Sequence, residues 1–253
     1  MKDLKLNLKD RIVFISGANR GIGKAIAIEI LKRGAKKVYG GTRKLAALDD
    51  LAKSYEGRLI PVQLDVTDDS SIANAVKIAT DVDILINNAG IMIGDSLFGK
   101  EAITNFKTHF DVNVLGIIKL SQALLPAIKA GEKGAIVSIS SLAGLANMPV
   151  IGSYSVSKAA AHSVIQGMRA ELVNDPISVI GVYPGPIDTD MAKGFEMDKD
   201  SPETVAKSVA NAIENGLEDV YPDVMSSQIK PVYMANPKAI ETEFGMYVAP
   251  VEQ

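Results

Sequence analysis

Tyr154 and Lys158 stand four residues apart, and their side chains have the types and spacing that proton transfer needs. Positions four apart lie on one face of a helix, so the ammonium would stand beside the phenol. A free tyrosine has a pKa of about 10, and a neighbouring positive charge lowers that pKa toward the range of an acid-base catalyst. Ser141 would add a hydroxyl that holds a carbonyl oxygen. These residues predict a site that adds or removes a proton at a carbonyl or alcohol oxygen.

The surrounding residues predict the elements that hold these side chains. Pro149 and Gly152 interrupt the chain, Ser153 is a suitable N-cap, and small and apolar residues follow, so a helix is expected from about Ser153. Ser141 comes at the end of a predicted strand, residues 135–140. A Tyr-x-x-x-Lys spacing also arises by chance in many helices, so the functional interpretation depends on the rest of the chain.

Composition excludes several classes of function. The chain has 253 residues, of which 47% are hydrophobic and 5% aromatic, which suits a buried parallel sheet covered by helices. A net charge of −3 with no basic cluster argues against nucleic-acid binding. Cysteine is absent, and the two histidines, His109 and His162, lack metal-ligand spacing, so we expect no metal and a structural role for both. No signal peptide or membrane span is apparent, which predicts a cytoplasmic protein without membrane contact.

A glycine-rich turn near the N-terminus predicts a dinucleotide site. The apolar run 12–16 reads as a strand, and Gly17-Ala18-Asn19-Arg20-Gly21-Ile22-Gly23 leads into a helical pattern. Glycines let the backbone approach a pyrophosphate, and the helix N-terminus stabilises its charge. The spacing is G-x-x-x-G-x-G rather than the commoner G-x-G-x-x-G, so the turn alone is moderate support.

The end of the second predicted strand, 37–41, indicates which dinucleotide is bound. NAD enzymes commonly place a carboxylate there to bind the ribose 2′-hydroxyl, and this chain has none. Arg43 takes that position, and with Arg20 it could pair with a 2′-phosphate. We therefore expect NADP(H). The alternative is that Arg43 and Lys44 only begin a solvated helix.

The remaining pattern alternates strands and helices to residue 222. Further strands are expected at 59–64, 83–86, 177–182 and near 218–221, and a helical stretch at about 100–130. Asn113 in that stretch is either a surface residue or a buried amide. We expect one domain over residues 1–253, with a substrate lid at about 190–201 and a tail, 222–253, broken by Pro231 and Pro237. The tail would close either the substrate pocket or an oligomer contact.

Together the glycine turn, Asn88-Ala89-Gly90, Asn113, Ser141, Tyr154, Lys158 and the turn Pro184-Gly185 resemble the short-chain dehydrogenase/reductase family. The resemblance covers roughly residues 9–222 and rests on several motifs at compatible spacings. It implies a Rossmann-type, doubly wound α/β fold with a parallel sheet of about seven strands and helices on both faces. It also implies a homodimer or homotetramer.

The same resemblance assigns the cofactor contacts. Arg43 would bind the 2′-phosphate, and Asp65 and Val66 the adenine, while Ile187 and Thr189 would hold the nicotinamide carboxamide. The other expected NADP(H) contacts are Gly17, Arg20, Gly21, Ile22, Gly23, Asn88, Ala89, Gly90, Tyr154, Lys158, Pro184 and Gly185.

The resemblance implies that Asn113, Ser141, Tyr154 and Lys158 form a catalytic tetrad. Tyr154 would give its proton to the carbonyl oxygen, Ser141 would orient that oxygen, and Lys158 would lower the pKa of Tyr154 and bind the nicotinamide ribose. Asn113 would hold a water that links Lys158 to solvent. The implied activity is that of an NADPH-dependent carbonyl reductase or alcohol dehydrogenase.

Apolar loop residues predict a hydrophobic ketone, aldehyde or secondary alcohol as the small-molecule substrate, because a polyol would need more polar partners. The predicted pocket residues are Leu142, Met148, Ile151, Met191 and Phe195, with Ile91, Met92, Ile93 and Leu145 beside them. A 3-oxoacyl-thioester reductase of lipid metabolism and a non-catalytic NADP(H)-sensing protein are the alternatives.

Overall fold

Seven parallel strands form one central sheet in a computed structural model that describes residues 4–248. The sheet order is β3-β2-β1-β4-β5-β6-β7, so the strand order reverses between β1 and β4, where open α/β sheets bind ligands. The predicted doubly wound α/β fold is confirmed. The strands are β1 (Ile12–Ser16), β2 (Lys37–Thr42), β3 (Leu59–Gln63), β4 (Ile84–Asn87), β5 (Gly134–Ile139), β6 (Ile177–Val182) and β7 (Asp219–Val220).

Helices cover both faces of the sheet and follow most of the predicted stretches. They are α1 (Gly21–Lys32), α2 (Asp49–Ser54), α3 (Asp69–Ile78), α4 (Ala102–Phe110), α5 (Gly116–Ala130), α6 (Gly152–Glu171), α7 (Pro202–Asn215), α8 (Val224–Ala235) and α9 (Pro237–Phe244). A π-helical turn, Asp111–Leu115, joins α4 to α5, so the predicted stretch at 100–130 is nearly continuous.

Two apolar cores lie on opposite faces of the sheet because successive strand residues point to opposite sides. Val13 and Ile15 of β1 pack in the core that contains Val209 of α7. Phe14 packs in the other core, with Leu124 of α5. Both faces of the strands β1, β4, β5 and β6 are buried, which explains why these strands are mostly apolar in sequence.

Within residues 4–248, one helical stretch, Ala102–Ala130, is long and apolar enough to cross a membrane by length and composition. The stretch contains Lys119, and its apolar residues Leu120 and Leu124 are fully buried against the sheet. Core helices of this kind pass the same test, so the finding is weak support for a membrane role.

The tail is more regular than the sequence suggested, because Pro231 lies inside α8 instead of breaking it. A proline within a helix removes one backbone hydrogen bond, and here tertiary packing compensates. Ile229 of α8 packs with Ile240 and Phe244 of α9 and with Leu142, which follows β5. Pro237 does begin a new helix, as a proline at a first helical position can. Residues 249–253 of the predicted tail lie outside the described part of the chain.

Candidate active site

A single cavity of about 580 Å³ extends along the C-terminal ends of the strands and collects nearly all of the predicted site residues. Those that line it are Gly17, Arg20, Gly21, Ile22, Arg43, Asp65, Val66, Asn88, Ala89, Gly90, Ser141, Leu142, Met148, Ile151, Tyr154, Lys158, Pro184, Gly185, Ile187, Thr189, Met191 and Phe195. Gly23 and Asn113 are buried and do not line the cavity.

The glycine turn is held by hydrogen bonds that leave its backbone facing the cavity. Gly17 has a φ of 70°, a left-handed conformation that favours glycine. The Asn88 Nδ2 atom donates to the backbone oxygens of Ser16 at 3.0 Å and of Gly17 at 3.1 Å. A Cβ atom on Gly23 would stand 2.3 Å from the Gly17 oxygen, so Gly23 lets α1 pack closely against the turn. The start of α1 therefore reaches the cavity, where its amides can bind a phosphate.

Cations gather at the end of the cavity that lies beyond β2. Arg43 and Lys44 are exposed there, and Arg20 enters from the glycine turn, where it pairs with Asp190 at 3.4 Å. Asp65 accepts hydrogen bonds from the backbone and hydroxyl of Thr67, at 2.9 and 2.7 Å, which hold the pKa of Asp65 below its ordinary value. A dinucleotide that carries an additional phosphate fits this set of charges.

Ser141 and Tyr154 meet at the middle of the cavity. Ser141 follows β5, and its side chain accepts a hydrogen bond from the Ala143 amide at 3.2 Å. Tyr154 lies in the first turn of α6, 7% exposed, with its phenol near enough to the Ser141 hydroxyl for that group to affect its pKa. Burial raises the pKa of Tyr154 to about 12, and the Ser141 hydroxyl acts in the opposite direction.

Lys158 comes one helical turn after Tyr154, as the spacing predicted, but its effect differs from the expected one. Its Nζ atom donates to the Ile139 carbonyl at 2.9 Å and lies 5.7 Å from the centre of the Tyr154 ring. Burial lowers the pKa of Lys158 to about 8. The expectation that Lys158 brings the pKa of Tyr154 below its ordinary value is therefore wrong for this structure, because loss of water around the phenol dominates.

Asn113 is a fully buried amide, which resolves the alternative left open by the sequence. It lies on the π-helical turn, and such turns are frequent at functional sites. Its Oδ1 atom accepts from the Ile91 amide at 2.9 Å, and its Nδ2 atom donates to the Ile91 carbonyl and to Ser157 Oγ, both at 3.0 Å. Gly90 separates Asn113 from Lys158: a Cβ atom there would stand 3.3 Å from Asn113 Oδ1 and 3.8 Å from Lys158 Nζ. The glycine keeps the space between the two side chains open.

The start of α6 differs from the prediction in one respect. Ile151, and not Ser153, is the N-cap residue, and Ser153 is fully buried inside the first turn. Asp95, from the loop after β4, supplies the missing acceptor: its Oδ1 atom accepts from the Ser153 amide at 3.1 Å. The helix that carries Tyr154 is therefore capped by a residue that is distant in sequence.

The far end of the cavity is apolar. Met92 joins the predicted Leu142, Met148, Ile151 and Phe195 in its wall. Ile93 and Leu145 do not line it: Ile93 is partly exposed, and Leu145 packs against the cluster formed by α8 and α9. The wall also includes Met197, from the predicted lid, and Met225 and Tyr247, which the sequence did not single out.

The tail contributes to this wall through a loop contact. The Tyr247 carbonyl accepts a hydrogen bond from the Val150 amide at 2.8 Å, which joins the residues after α9 to the loop before α6. The only sequence signal for this arrangement was the apolar character of the tail, which does not say what the tail covers.

Comparison with known proteins identifies the family. Residues 11–200 match the family model described as short chain dehydrogenase. The chain belongs to the short-chain dehydrogenase family. It is therefore an oxidoreductase that acts on hydroxyl or carbonyl groups, as its motifs predicted.

Individual relatives of this short-chain dehydrogenase are moderately similar in sequence. An NADP-dependent 3-hydroxy acid dehydrogenase of Schizosaccharomyces pombe is 31% identical over 210 residues, which are 79% of this chain and 81% of the relative. A short chain dehydrogenase from Burkholderia cenocepacia in complex with NADP has a TM-score of 0.88 and 32% identity, covering 97% of this chain and 100% of that one. A 3-oxoacyl-[acyl-carrier protein] reductase from Brucella melitensis has a TM-score of 0.75 and 27% identity, covering 86% and 91%.

Proposed function

We propose that this short-chain dehydrogenase is an NADPH-dependent carbonyl reductase, reversible toward alcohol oxidation, whose substrate is a hydrophobic ketone or aldehyde. One observation carries the proposal. A single cavity contains a cationic, phosphate-binding end, then Ser141, Tyr154 and Lys158, then an apolar end. The cofactor site, the proton donor and the substrate site are therefore contiguous.

The charges at the cofactor end support NADP(H) over NAD(H). Arg43 and Lys44 follow β2, at the position where a carboxylate would bind an unphosphorylated ribose. Asp65 lies near Arg43, but it is already bound to Thr67. The names of the Schizosaccharomyces and Burkholderia relatives also include NADP.

In the reductive direction, bound NADPH supplies hydride to the carbonyl carbon. The phenol of Tyr154 donates its proton to the carbonyl oxygen, and the Ser141 hydroxyl orients that oxygen by a hydrogen bond. Tyr154 is protonated at neutral pH, as this direction requires, and burial, by raising its pKa, extends that state to higher pH. The ammonium of Lys158 then stabilises the phenolate that remains.

Asn113 helps to return a proton from solvent to Lys158 after each turnover. Its amide is fixed to the Ile91 backbone, and the space that Gly90 leaves open lies between Asn113 Oδ1 and Lys158 Nζ. A water held there by both polar groups would link Lys158 to solvent and restore its proton after each turnover. In this role Asn113 positions the water and does not touch the substrate.

The apolar end of the cavity favours a substrate without an acidic group. Met92, Met148 and Met225 line it, and methionines adapt to varied apolar shapes. The cations of the cavity, Arg20, Arg43, Lys44 and Lys158, lie at the cofactor end or beside Tyr154. A 3-hydroxy acid or a 3-oxoacyl thioester, the substrate classes that the relatives' names contain, remains the second candidate because of those relatives.

Initial rates of NADPH and NADH oxidation over one panel of carbonyl compounds test this function. The panel contains aryl and alkyl ketones, aldehydes, 3-oxo acids, and 3-oxoacyl groups on coenzyme A and on carrier protein. The proposal predicts the highest kcat/KM with NADPH and an uncharged apolar ketone or aldehyde. Faster turnover of a 3-oxo acid or a 3-oxoacyl thioester would show that this class, and not an apolar ketone or aldehyde, is the substrate. Tight NADPH binding without any turnover would support a non-catalytic NADP(H)-sensing protein.

Three further features belong to the same proposal. Residues 1–253 act as one cofactor-binding domain, in which residues 190–201 cover the substrate, since Met191, Phe195 and Met197 already line the cavity. The protein works in the cytoplasm. It forms a homodimer or homotetramer built on the long helices that contain Asn113 and Tyr154, as the family resemblance implies. Light scattering after size exclusion measures the assembly.

A further inference from the structure

A buried histidine links three separate segments beside Tyr154. The His109 Nε2 atom accepts a hydrogen bond from the Ile93 amide at 2.9 Å, and its Nδ1 atom lies 2.8 Å from the Ser153 hydroxyl. That hydroxyl in turn donates to Asp95 Oδ2. The network therefore joins α4, the first turn of α6 and the loop after β4.

Only one protonation state of His109 fits these contacts. The Ile93 amide is a donor, so Nε2 must be unprotonated, and the proton of the neutral ring is on Nδ1. Nδ1–H then donates to Ser153 Oγ, and the Ser153 proton is directed to Asp95. Each hydrogen bond in this network therefore has one defined donor and one defined acceptor.

This network holds the residue next to Tyr154. Ser153 has both its amide and its hydroxyl bound to Asp95, and Ile151 provides no side-chain cap for α6. The His109 ring also packs edge-on against the Tyr154 ring, with 5.9 Å between the ring centres and 72° between the planes. Both the backbone before Tyr154 and the Tyr154 ring are therefore held by this one cluster.

We propose that neutral His109, acting through Ser153 and Asp95, is a positioning residue that holds the Tyr154 phenol in its proton-donating place, and that its protonation releases Tyr154. A protonated ring would direct Nε2–H against the Ile93 N–H group and lose that hydrogen bond. The inference rests on the proposed function, because it assigns a purpose to the position of Tyr154. It reinterprets a histidine for which the sequence suggested only a structural role.

The charges around His109 set the direction of the pH effect. Burial lowers the pKa of His109, Asp95 raises it, and Lys158 lowers it again, with a net result below the ordinary value of about 6.5. The native state therefore favours the neutral ring, and the stability that this provides is complete above pH 6.5 and is lost as pH falls through the lowered pKa. Catalysis should decline over the same acid range.

Variants of His109 separate hydrogen bonding from titration. Glutamine can accept from the Ile93 amide and donate to Ser153 without titrating, whereas leucine can do neither. We expect His109→Leu to lower kcat by about tenfold to a hundredfold, as a misplaced catalytic group does, with the Kd of NADPH within about twofold of wild type. His109→Gln should keep most of the activity and lose the acid limb of the pH profile.

Two further variants provide an alternative to His109→Leu and a control. Ser153→Ala removes the hydroxyl that links His109 to Asp95 but keeps the backbone amide that Asp95 binds. It should also lower kcat, and it tests the proposal even if His109→Leu does not fold. His162→Gln is the matched control, because the only other histidine of the chain pairs with Tyr183 and Gln166, and it should leave the profile unchanged. Wild-type kcat in folded His109→Leu or Ser153→Ala, or an acid limb that persists in His109→Gln, would overturn the proposal.

An NMR measurement works even without a known substrate. In protein with labelled tyrosine ring carbons and histidine nitrogens, the Tyr154 signal is assigned with Tyr154→Phe and the histidine signals with His162→Gln. The inference predicts Nδ1–H His109 at neutral pH and a Tyr154 shift that follows the titration of His109. A Tyr154 signal that ignores that titration contradicts the inference, whereas absence of all carbonyl turnover in wild type contradicts only the proposed function.

Discussion

The Nζ atom of Lys158 lies 5.7 Å from the centre of the Tyr154 ring, and both side chains are buried. Their four-residue spacing predicted that the two side chains lie close together, but it did not indicate that both are buried away from solvent. Burial acts on both groups in the direction of the neutral form, toward a pKa of about 12 for the phenol and about 8 for the ammonium. At neutral pH the pair is therefore a protonated phenol beside an ammonium that loses its proton near pH 8.

The pKa of Lys158 predicts a basic limit to the reaction. With a pKa of about 8 in the free enzyme, Lys158 loses its proton as pH rises through 8, so kcat/KM for reduction should fall above that pH. Tyr154, with a pKa of about 12, stays protonated over the same range. Affinity for NADPH, followed by fluorescence in Tyr154→Phe, should show the same limb, and Lys158→Met should lack it. A limb that survives in Lys158→Met belongs to another group.

Charge reversal at Arg43 should change cofactor preference. Arg43→Asp removes the cation that would bind the 2′-phosphate and adds an acceptor for a free 2′-hydroxyl, so the ratio of kcat/KM for NADPH to that for NADH should fall by at least about a hundredfold. Lys53→Asp is the matched control, because Lys53 on α2 is exposed and lies outside the cavity. An unchanged ratio in Arg43→Asp would show that another residue binds the phosphate.

A cation placed in the apolar end should reverse substrate preference. Met148→Lys should lower kcat/KM for an uncharged ketone by about tenfold to a hundredfold, because the ammonium must be desolvated, and should raise it for a 3-oxo acid. Met246→Lys makes the same change at an exposed residue outside the cavity and should alter neither value. Equal effects of the two substitutions would mean that Met148 does not contact the substrate.

Truncation of Phe244 tests the coupling of the tail to the site. The Phe244 ring is fully buried against Ile240 and Leu142, so Phe244→Ala should lower the free energy of unfolding by about 3–5 kcal/mol. Leu142 also lines the cavity, so the KM of the ketone should rise while the Kd of NADPH stays constant. Urea denaturation and steady-state kinetics measure both. A purely structural tail would leave the KM unchanged.

Local patterns were enough to predict the sheet and much of the cavity lining. Apolar runs marked the strands, and residues just beyond their C-terminal ends, such as Arg43 and Ser141, line one cavity because parallel strands align those ends at one edge. The family and the fold class are confirmed by the match over residues 11–200 and by the sheet order. The roles of the individual residues stay predictions.

Features that depend on distant contacts could not be read from the sequence. The cap of α6 comes from Asp95, 58 positions before Ser153, so Ser153 itself looked like the cap. Pro231 is accommodated in α8 by packing with α9, which the propensity of proline does not reveal. Tyr247 reaches the cavity through a hydrogen bond to Val150, and the pKa of Tyr154 depends on burial that only the assembled fold produces.

The most direct test of the account is single-turnover reduction of the best ketone by NADPH in wild-type enzyme and in Tyr154→Phe. Phenylalanine keeps the buried ring and removes only the proton donor, so the Kd of NADPH should stay within about twofold, while the rate of hydride transfer should fall by at least about a thousandfold. A Tyr154→Phe enzyme that binds NADPH normally and reduces the ketone at a rate near that of wild type would contradict the assignment of Tyr154 as the acid.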